Sequence, residues 1–273
     1  ATATMDNTAP TADLRTGNNG NLVLVAEGTI TLTDGDNSGA SVEANGSGNI
    51  RIESVGTDAD ILVEGHILSG TGNITLFAAN DLTLDANVTT AAPGTVYLVA
   101  EAGTLTMDSD AVVTAANSSI LTRSEADSIL GLLVATNVSA RSFEGSIYSA
   151  EGVALNVQAT RLRLEAQNAI GTSDRPLRSS VSELSARAVS ASETEKGLFI
   201  EEATALVIRD VEVTVNAFLA NATTAPVTEI SQADLVTLND GDIVLVTLDG
   251  SIELTDADAS GFSVSAQGSG SIS

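Results

Sequence analysis

The sequence predicts an all-β protein that folds as a parallel β-helix, a solenoid of stacked coils of roughly 22 residues each. Three observations lead to this prediction: short alternating apolar runs recur at a similar spacing, turn residues separate them, and long helical periodicity is nearly absent. Val, Ile, Leu and Ala provide most of the apolar residues, whereas aromatic residues make up 3% of the chain and Trp is absent. Small branched side chains suit the narrow layers between stacked coils.

The recurring unit starts with Gly-Asn or Gly-Thr and an apolar run, at Gly20, Gly48, Gly72 and Gly94. Second alternating runs follow these starts at residues 30–32, 61–63, 82–84 and 105–107, with weaker third runs at Val42, Val88 and Val112. A strand this short buries its apolar face only by stacking on the equivalent strand of the next coil. At about 4.8 Å per coil, about ten coils would give a rod of roughly 50 Å for each long repeat.

Asparagine recurs at one position of this unit, at Asn21, Asn49 and Asn73. Stacked coils would place these side chains one above another as an amide ladder at a corner of the solenoid. A simple preference of asparagine for turns explains the same recurrence. The sequence leaves both explanations open.

A long internal repeat relates the two ends of the chain, because residues 12–50 match residues 233–272 with an offset of 221 that becomes 222 after one insertion. We therefore divide the chain into three parts. Residues 1–19 are a polar lead-in that ends a preceding repeat, residues 12–232 are one long β-helical repeat, and residues 233–273 start the next repeat. This arrangement is typical of a segment of a tandem array.

The middle of the chain departs from the coil pattern. Residues 124–133 fit either a capped helical turn or a coil with Gly131 at its corner, and the flanking strands favour the coil. Residues 170–178 are the expected position of a protruding loop, or else a long corner whose arginines pair with Asp174 and Glu183. Further coil strands are expected at residues 198–200, 206–208 and 211–215.

The composition narrows the possible partners. The chain has 36 acidic and 11 basic residues and a formal net charge of −25. Such a surface repels nucleic acid and anionic lipid headgroups and favours divalent cations. The chain contains no cysteine, and no apolar run is long enough to span a bilayer. We expect no nucleic-acid partner and no membrane span in this segment.

Calcium is the ligand that two repeated acidic loops would suit best, although a solvated turn is the favoured interpretation of both loops. Each loop has the order acid, acid, hydroxyl, glycine, which places oxygen atoms at alternate positions around a tight turn. The predicted ligands are Asp34, Asp36 and Ser38 in the first copy and Asp256, Asp258 and Ser260 in the second. An EF-hand would require a glutamate where Asn45 and Gln267 stand. A solvated turn explains the same residues, so calcium is not a required cofactor.

An enzyme is the second class of function that the sequence allows. Asp108 and Asp110 lie two residues apart, at a spacing that suits an inverting carboxylate pair. The same spacing occurs in four other places, however, and sugar-stacking aromatic residues are scarce, so we expect no catalysis in this segment. His66 is the only histidine, and one histidine without cysteine cannot build the usual zinc site. We expect it to occupy the surface or a corner.

The Gly-Asn-Leu/Ile starts, together with the module from Ile170-Gly171-Thr172 through Pro176-Leu177 to Gly197-Leu198-Phe199-Ile200, resemble the filamentous-haemagglutinin-like right-handed β-helices of giant bacterial surface and exported proteins. This resemblance implies a right-handed solenoid in an extracellular or cell-surface location. It also implies a structural role, as a repeat segment of a large fibre or adhesin shaft.

The implied partners are neighbouring repeats, joined end to end in the same or an identical chain, and a cell-surface or glycan partner. The alternatives to a shaft segment are a carbohydrate-active lyase or hydrolase and a calcium-stiffened surface linker.

Overall fold

The predicted parallel β-solenoid is confirmed by a computed structural model, in which parallel strands stack into about 8 turns. The structure describes residues 13–192, 194 and 196–273, which form strands, turns and bends without a helix. Residues 1–12 of the predicted lead-in lie outside the described residues, and residues 14–16 form the first strand of the solenoid.

The strands, numbered in chain order, stack in three columns over most of the solenoid. The first column contains β1 (Leu14–Thr16), β4 (Ala40–Ala44), β7 (His66–Ser69), β10 (Val88–Ala91), the first halves of β13 (Val112–Ser124) and β15 (Leu132–Ser142), β17 (Val157–Gln158) and β20 (Leu177–Ser180). The second contains β2 (Leu22–Ala26), β5 (Ile50–Ser54), β8 (Ile74–Ala78), β11 (Val96–Ala100), the second halves of β13 and β15, β18 (Arg161–Ala166) and β21 (Glu183–Ala188). The third contains β3 (Ile30–Leu32), β6 (Ile61–Val63), β9 (Leu82–Leu84), β12 (Leu105–Met107), β14 (Ser128–Leu130), β16 (Ile147–Ser149) and β19 (Ala169–Ile170).

The remaining strands form the C-terminal end of the stack. They are β22 (Gly197–Glu202) on β19 and β20, β23 (Leu206–Ile208) and β26 (Leu235–Thr237) on β21, β27 (Ile243–Thr247) on β22, β28 (Ile252–Leu254) on β23, and β29 (Val264–Ala266) on β26. The strands β24 (Val211–Phe218) and β25 (Thr224–Gln232) form a separate antiparallel hairpin.

The length of a coil varies along the solenoid. Leu22 pairs with Ile50, 28 residues later, whereas Ile74 pairs with Val96 after 22 residues. The expected count of about ten coils per repeat was too high, because several coils are longer than 22 residues and the hairpin segment leaves the stack. Longer turns account for most of these differences, and small register shifts occur within the β4–β7 and β13–β15 pairs.

The core is a continuous column of apolar side chains inside the solenoid. Ile50 and Ile52 of one coil lie in register with Ile74 and Leu76 of the next, and all four are fully buried. Burying one such side chain stabilises the fold by roughly 1.5–3 kcal/mol. Most inward positions therefore carry apolar residues in successive coils, with buried serines such as Ser128 between Leu105 and Ile147 as exceptions.

The predicted asparagine ladder is present at the corner before the second column. The Oδ1 atom of Asn21 accepts hydrogen bonds from N (2.9 Å) and Nδ2 (3.0 Å) of Asn49. The Oδ1 atom of Asn49 accepts the same two bonds from Asn73, at 2.8 and 3.0 Å. Thr95 continues the ladder by donating from its N and Oγ1 atoms to Asn73, both at 3.0 Å.

His66 has a similar corner role, because its Nδ1 atom accepts a bond of 3.0 Å from the backbone N of Asn87.

Both uncertain stretches of the middle are coil segments. Residues 124–133 contain β14 and Gly131, which confirms the coil and excludes the helical turn. Residues 170–178 form a corner in which Thr172 and Arg175 exchange backbone hydrogen bonds. The arginine of this corner that forms an ion pair, Arg178, contacts Glu201 at 3.3 Å rather than Asp174 or Glu183.

The protrusion lies instead at residues 209–234, where the β24–β25 hairpin leaves the stack between β23 and β26. The hairpin folds back over the outer face of the second column, and its Val215 and Ala217 pack with Tyr97, Val99 and Leu121. Thr75 Oγ1 accepts a hydrogen bond of 2.9 Å from the backbone N of Phe218. The strand expected at residues 211–215 is present, but its assignment to a coil was wrong.

An ion-pair network centred on the buried Glu229 connects the hairpin to the solenoid. Glu229 of β25 is 2% exposed and accepts hydrogen bonds from Arg123 Nε at 2.6 Å and from Arg141 Nη1 at 3.3 Å. Arg163 Nη1 lies 3.9 Å from the same carboxylate, and its Nε donates to the carbonyl of Ile230 at 3.1 Å. These three arginines belong to successive coils, so one glutamate connects the hairpin to three layers of the stack.

Replacing Glu229 by Gln removes the charge and keeps the size of the side chain. We expect a loss of about 3 kcal/mol in the free energy of unfolding, because Arg123 loses its carboxylate partner and the buried Arg163 keeps only Glu165 as an ion-pair partner. Chemical denaturation followed by circular dichroism measures this change. The exposed pair of Arg161 and Glu183 is the control, and Arg161→Gln should cost less than about 1 kcal/mol. Equal effects of the two substitutions would contradict a central role for Glu229.

The asparagine ladder generates a second prediction. Asn49→Ala removes an acceptor and a donor from a continuous chain of bonds, so we expect a loss of about 1–2 kcal/mol in the free energy of unfolding. Asn45→Ala is the control, because Asn45 makes one long bond of 3.3 Å to the carbonyl of Thr16. A loss for Asn49→Ala no larger than that for Asn45→Ala would show that asparagine serves there only as a turn residue.

Candidate functional site

The first predicted calcium loop connects β3 to β4 as a tight turn closed by its own carboxylates. Asp34 accepts hydrogen bonds from the backbone N of Ser38 at 3.1 Å and of Gly39 at 2.7 Å. The Oδ1 atom of Asp36 accepts a further bond from Ser38 N at 2.9 Å. The three predicted ligands Asp34, Asp36 and Ser38 are therefore brought together.

The second loop, which connects β28 to β29, has the same internal bonds. Asp256 accepts from the backbone N atoms of Ser260 and Gly261, both at 3.0 Å, and Asp258 Oδ1 accepts from Ser260 N at 2.9 Å. The three predicted ligands of this copy, Asp256, Asp258 and Ser260, are also brought together. The two loops therefore share one conformation determined by their own sequence.

A third carboxylate faces each loop, and the sequence analysis missed it. Asp13 lies just before β1, and its carboxylate oxygen comes within 4.8 Å of those of Asp34 and Asp36. Asp234 lies at the equivalent position before β26, and its Oδ2 atom accepts a hydrogen bond of 3.3 Å from Ser260 Oγ. Each of these residues is more than 20 positions from its loop, but the long repeat carries both, as Asp-Leu at the start of each copy.

The first copy contains its own cation. Arg15 Nη2 lies 2.9 Å from Asp13 Oδ2 and 3.6 Å from Asp36 Oδ2, and it donates a hydrogen bond of 2.6 Å to Ser38 Oγ. Arg15 Nε also approaches Glu43 at 3.8 Å. The guanidinium group thus lies between the oxygen atoms that were predicted to bind calcium.

The second copy has Val236 in place of Arg15 and Ser265 in place of Glu43. Among the described residues, no arginine or lysine lies within 4.0 Å of the carboxylates of Asp234, Asp256 and Asp258. Asp234 is 1% exposed, and its Oδ1 atom has no hydrogen-bond partner in the described part of the chain. Within the described part of the chain, the three carboxylates of the second copy therefore have no arginine or lysine as a counter-charge.

The electrostatics of the two loops follow from these contacts. Burial, followed by the negative charges of Asp258 and Asp256, raises the pKa of Asp234 above its usual value. Hydrogen bonds from Ser260 lower the pKa of Asp258, as those from Ser38 lower the pKa of Asp36. Among these carboxylates of the second copy, Asp234 is therefore the one whose ionised form is destabilised by its surroundings.

The other candidates from the sequence have structural roles. Asp108 Oδ1 accepts a hydrogen bond of 2.9 Å from the backbone N of Asp110, so this pair closes a turn. Asn45 and Gln267, at the position of an EF-hand glutamate, bond to the ends of the neighbouring strands at Thr16 and Thr237.

Comparisons with known proteins add no family to these observations. No protein-family model, no curated protein and no solved structure matches the chain. Within the described residues, no helix has the length and apolar character needed to cross a membrane.

The raised pKa of Asp234 predicts a pH dependence of stability. A carboxyl group with a raised pKa in the folded state destabilises the fold as pH rises, because the folded protein holds its proton more strongly than the unfolded chain does. In a chelating buffer, we therefore compare the stability of Asp234→Asn with that of the wild type. The two should be similarly stable below pH 3.8, where the carboxyl group is protonated. As the pH rises to neutrality, the variant should become the more stable of the two. Thermal unfolding at a series of pH values tests this, and a constant difference across the series would contradict it.

Proposed function

We propose that this chain is a structural repeat segment of a large extracellular fibre or adhesin shaft, in which the coils of one repeat continue into those of the next. The observation that carries this proposal is the equivalence of the two copies of the long repeat. Leu14 pairs with Val42 in the first copy, and Leu235 pairs with Val264 in the second. Both copies thus begin a coil of the same kind.

The apolar end of the solenoid supports the same proposal. Ile30 and Leu32 are 7% and 6% exposed because the coil that contains β6 covers them. Their equivalents in the second copy, Ile252 and Leu254, are 37% and 57% exposed. An exposed apolar surface of this kind is stabilised when another surface covers it. A coil equivalent to residues 51–63, which covers Ile30 and Leu32 in the first copy, fits this position.

A mechanical role also agrees with the distribution of polar groups. The corner residues Asn21, Asn49 and Asn73 bond to one another, and Glu229 forms ion pairs with three arginines, so these groups stabilise the stack. We propose no catalysis in this segment, because the acidic pair of Asp108 and Asp110 closes a turn. An active carbohydrate-processing site would require its acidic residues to face a groove instead.

The location and the family are part of the proposal. The resemblance of the Gly-Asn starts and of residues 170–200 to filamentous-haemagglutinin-like repeats supports an extracellular or cell-surface protein. The acidic surface disfavours nucleic acid as a partner. A neighbouring repeat at each end is the partner that the repeat equivalence supports, and a cell-surface or glycan partner would bind elsewhere in such a fibre.

Particle length tests this function. Because Ser273 corresponds to Arg51 in the long repeat, the chain can be extended after Ser273 by a second copy of residues 52–273 without a change of register. Electron microscopy of both chains should show unbranched rods, and the extended rod should be longer by about 40 Å, from about 8 turns at about 4.8 Å each. Two separate particles on a flexible connection, or a compact particle that does not lengthen, would contradict a shaft.

A further inference from the structure

We propose that the second loop and Asp234 form a calcium site, with the carboxylates of Asp234, Asp256 and Asp258 and the hydroxyl of Ser260 as protein ligands. In the first copy of the repeat, the guanidinium group of Arg15 takes the place of the ion. This goes beyond the shaft function, which requires no metal.

The carboxylates of the second loop are held in place by the backbone of their own turn. Hydrogen bonds from Ser260 N and Gly261 N hold the carboxylates of Asp256 and Asp258 in fixed positions. A carboxylate oxygen that accepts one hydrogen bond retains a further lone pair. These atoms can therefore bind an ion while the turn stays closed.

Asp234 provides the independent evidence for a missing partner. Its side chain is buried, its Oδ1 atom has no hydrogen-bond partner among the described residues, and its Oδ2 atom contacts Ser260 of the loop. A buried charge without a partner is costly. A divalent cation between Asp234 and the loop satisfies this charge and reduces the repulsion from Asp256 and Asp258.

The first copy shows what a cation does at this position. Arg15 contacts Asp13, Asp36 and Ser38, which correspond to Asp234, Asp258 and Ser260. Val236 cannot make these contacts, because it has neither a charge nor a hydrogen-bond donor. The chain therefore contains two versions of one acidic loop. Among the described residues, the three carboxylates that lie within 4.8 Å of one another are those of the first copy, where Arg15 neutralises them, so an ion at the second copy must draw Asp234, Asp256 and Asp258 together.

Calcium fits this site better than magnesium. Calcium accepts six to eight oxygen ligands in flexible geometry, whereas magnesium requires a near-ideal octahedron and keeps much of its water. Two exposed carboxylates, one buried carboxylate and a hydroxyl suit calcium completed by water. Sites of this kind in extracellular modules bind calcium with dissociation constants of about 0.1–1 mM.

Isothermal titration calorimetry with calcium chloride, after treatment with chelator, tests the site directly. The wild-type chain should bind about one equivalent of calcium in the range of about 0.1–1 mM. At about 10 mM, roughly tenfold or more above this range, calcium should raise the midpoint of thermal unfolding by about 3 °C or more, compared with sodium chloride of equal ionic strength. An equal rise with sodium chloride would overturn the proposal, because it would reflect general screening of an acidic surface.

Matched substitutions in the two copies separate the site from a structural effect. Asp234→Asn and Val236→Arg should fold, lose the bound equivalent and lose the thermal response to calcium. Asp13→Asn is the control in the first copy, and it should keep both. Arg15→Val should raise the stoichiometry from about one to about two, because it leaves Asp13, Asp34 and Asp36 without their cation. Unchanged calcium binding by Asp234→Asn, or loss of binding by Asp13→Asn, would overturn the assignment.

Discussion

The structure depends on the hydrogen bonding of each strand to the equivalent strand of the next coil. A strand of three residues such as β6 is stable only because β3 and β9 flank it on both sides. The spacing of about 4.8 Å between paired strands brings identical positions of successive coils into contact. Apolar positions then form a continuous core, and amide positions form a ladder. The same constraint explains why coil length varies mainly at corners, while register shifts within the stacked strands are confined to a few bulges such as that between Ala115 and Ser119.

This constraint also determines where the chain can depart from the solenoid. Insertions are accommodated at corners and bulges, because an insertion inside a stacked strand would move its apolar side chains to the opposite face. The β24–β25 hairpin leaves the stack between β23 and β26, which both pair with β21. It then covers the outer face of earlier coils and brings Glu229 to their arginines. At its end the chain re-enters the stack at Asp234, beside the second acidic loop, so the hairpin and this loop are neighbours.

Local patterns in the sequence predicted much of this fold. The Gly-Asn starts and alternating runs indicated the parallel stack, and the recurrence of Asn21, Asn49 and Asn73 allowed a ladder as one of two explanations. The hairpin was missed because Val211-Glu212-Val213-Thr214-Val215 alternates in the same way in a hairpin as in a coil strand. Asp13 and Asp234 were missed as partners of the loops because a turn pattern contains only neighbours in sequence. The exchange of Arg15 for Val236 is visible in the aligned repeat, but its meaning requires the distances that the fold provides.

The central claim is that the second copy of the repeat begins a coil that another coil covers in register. Cysteine cross-linking in the extended chain tests this claim most directly, because the native chain has no cysteine. In the first copy Val25 pairs with Glu53, and Glu53 pairs with Phe77 of the following coil. In the extended chain, Val246→Cys with Glu53→Cys in the appended copy should therefore form a disulfide on mild oxidation, much faster than Val246→Cys with Phe77→Cys in that copy. Equal rates for the two pairs would contradict a continuous stack.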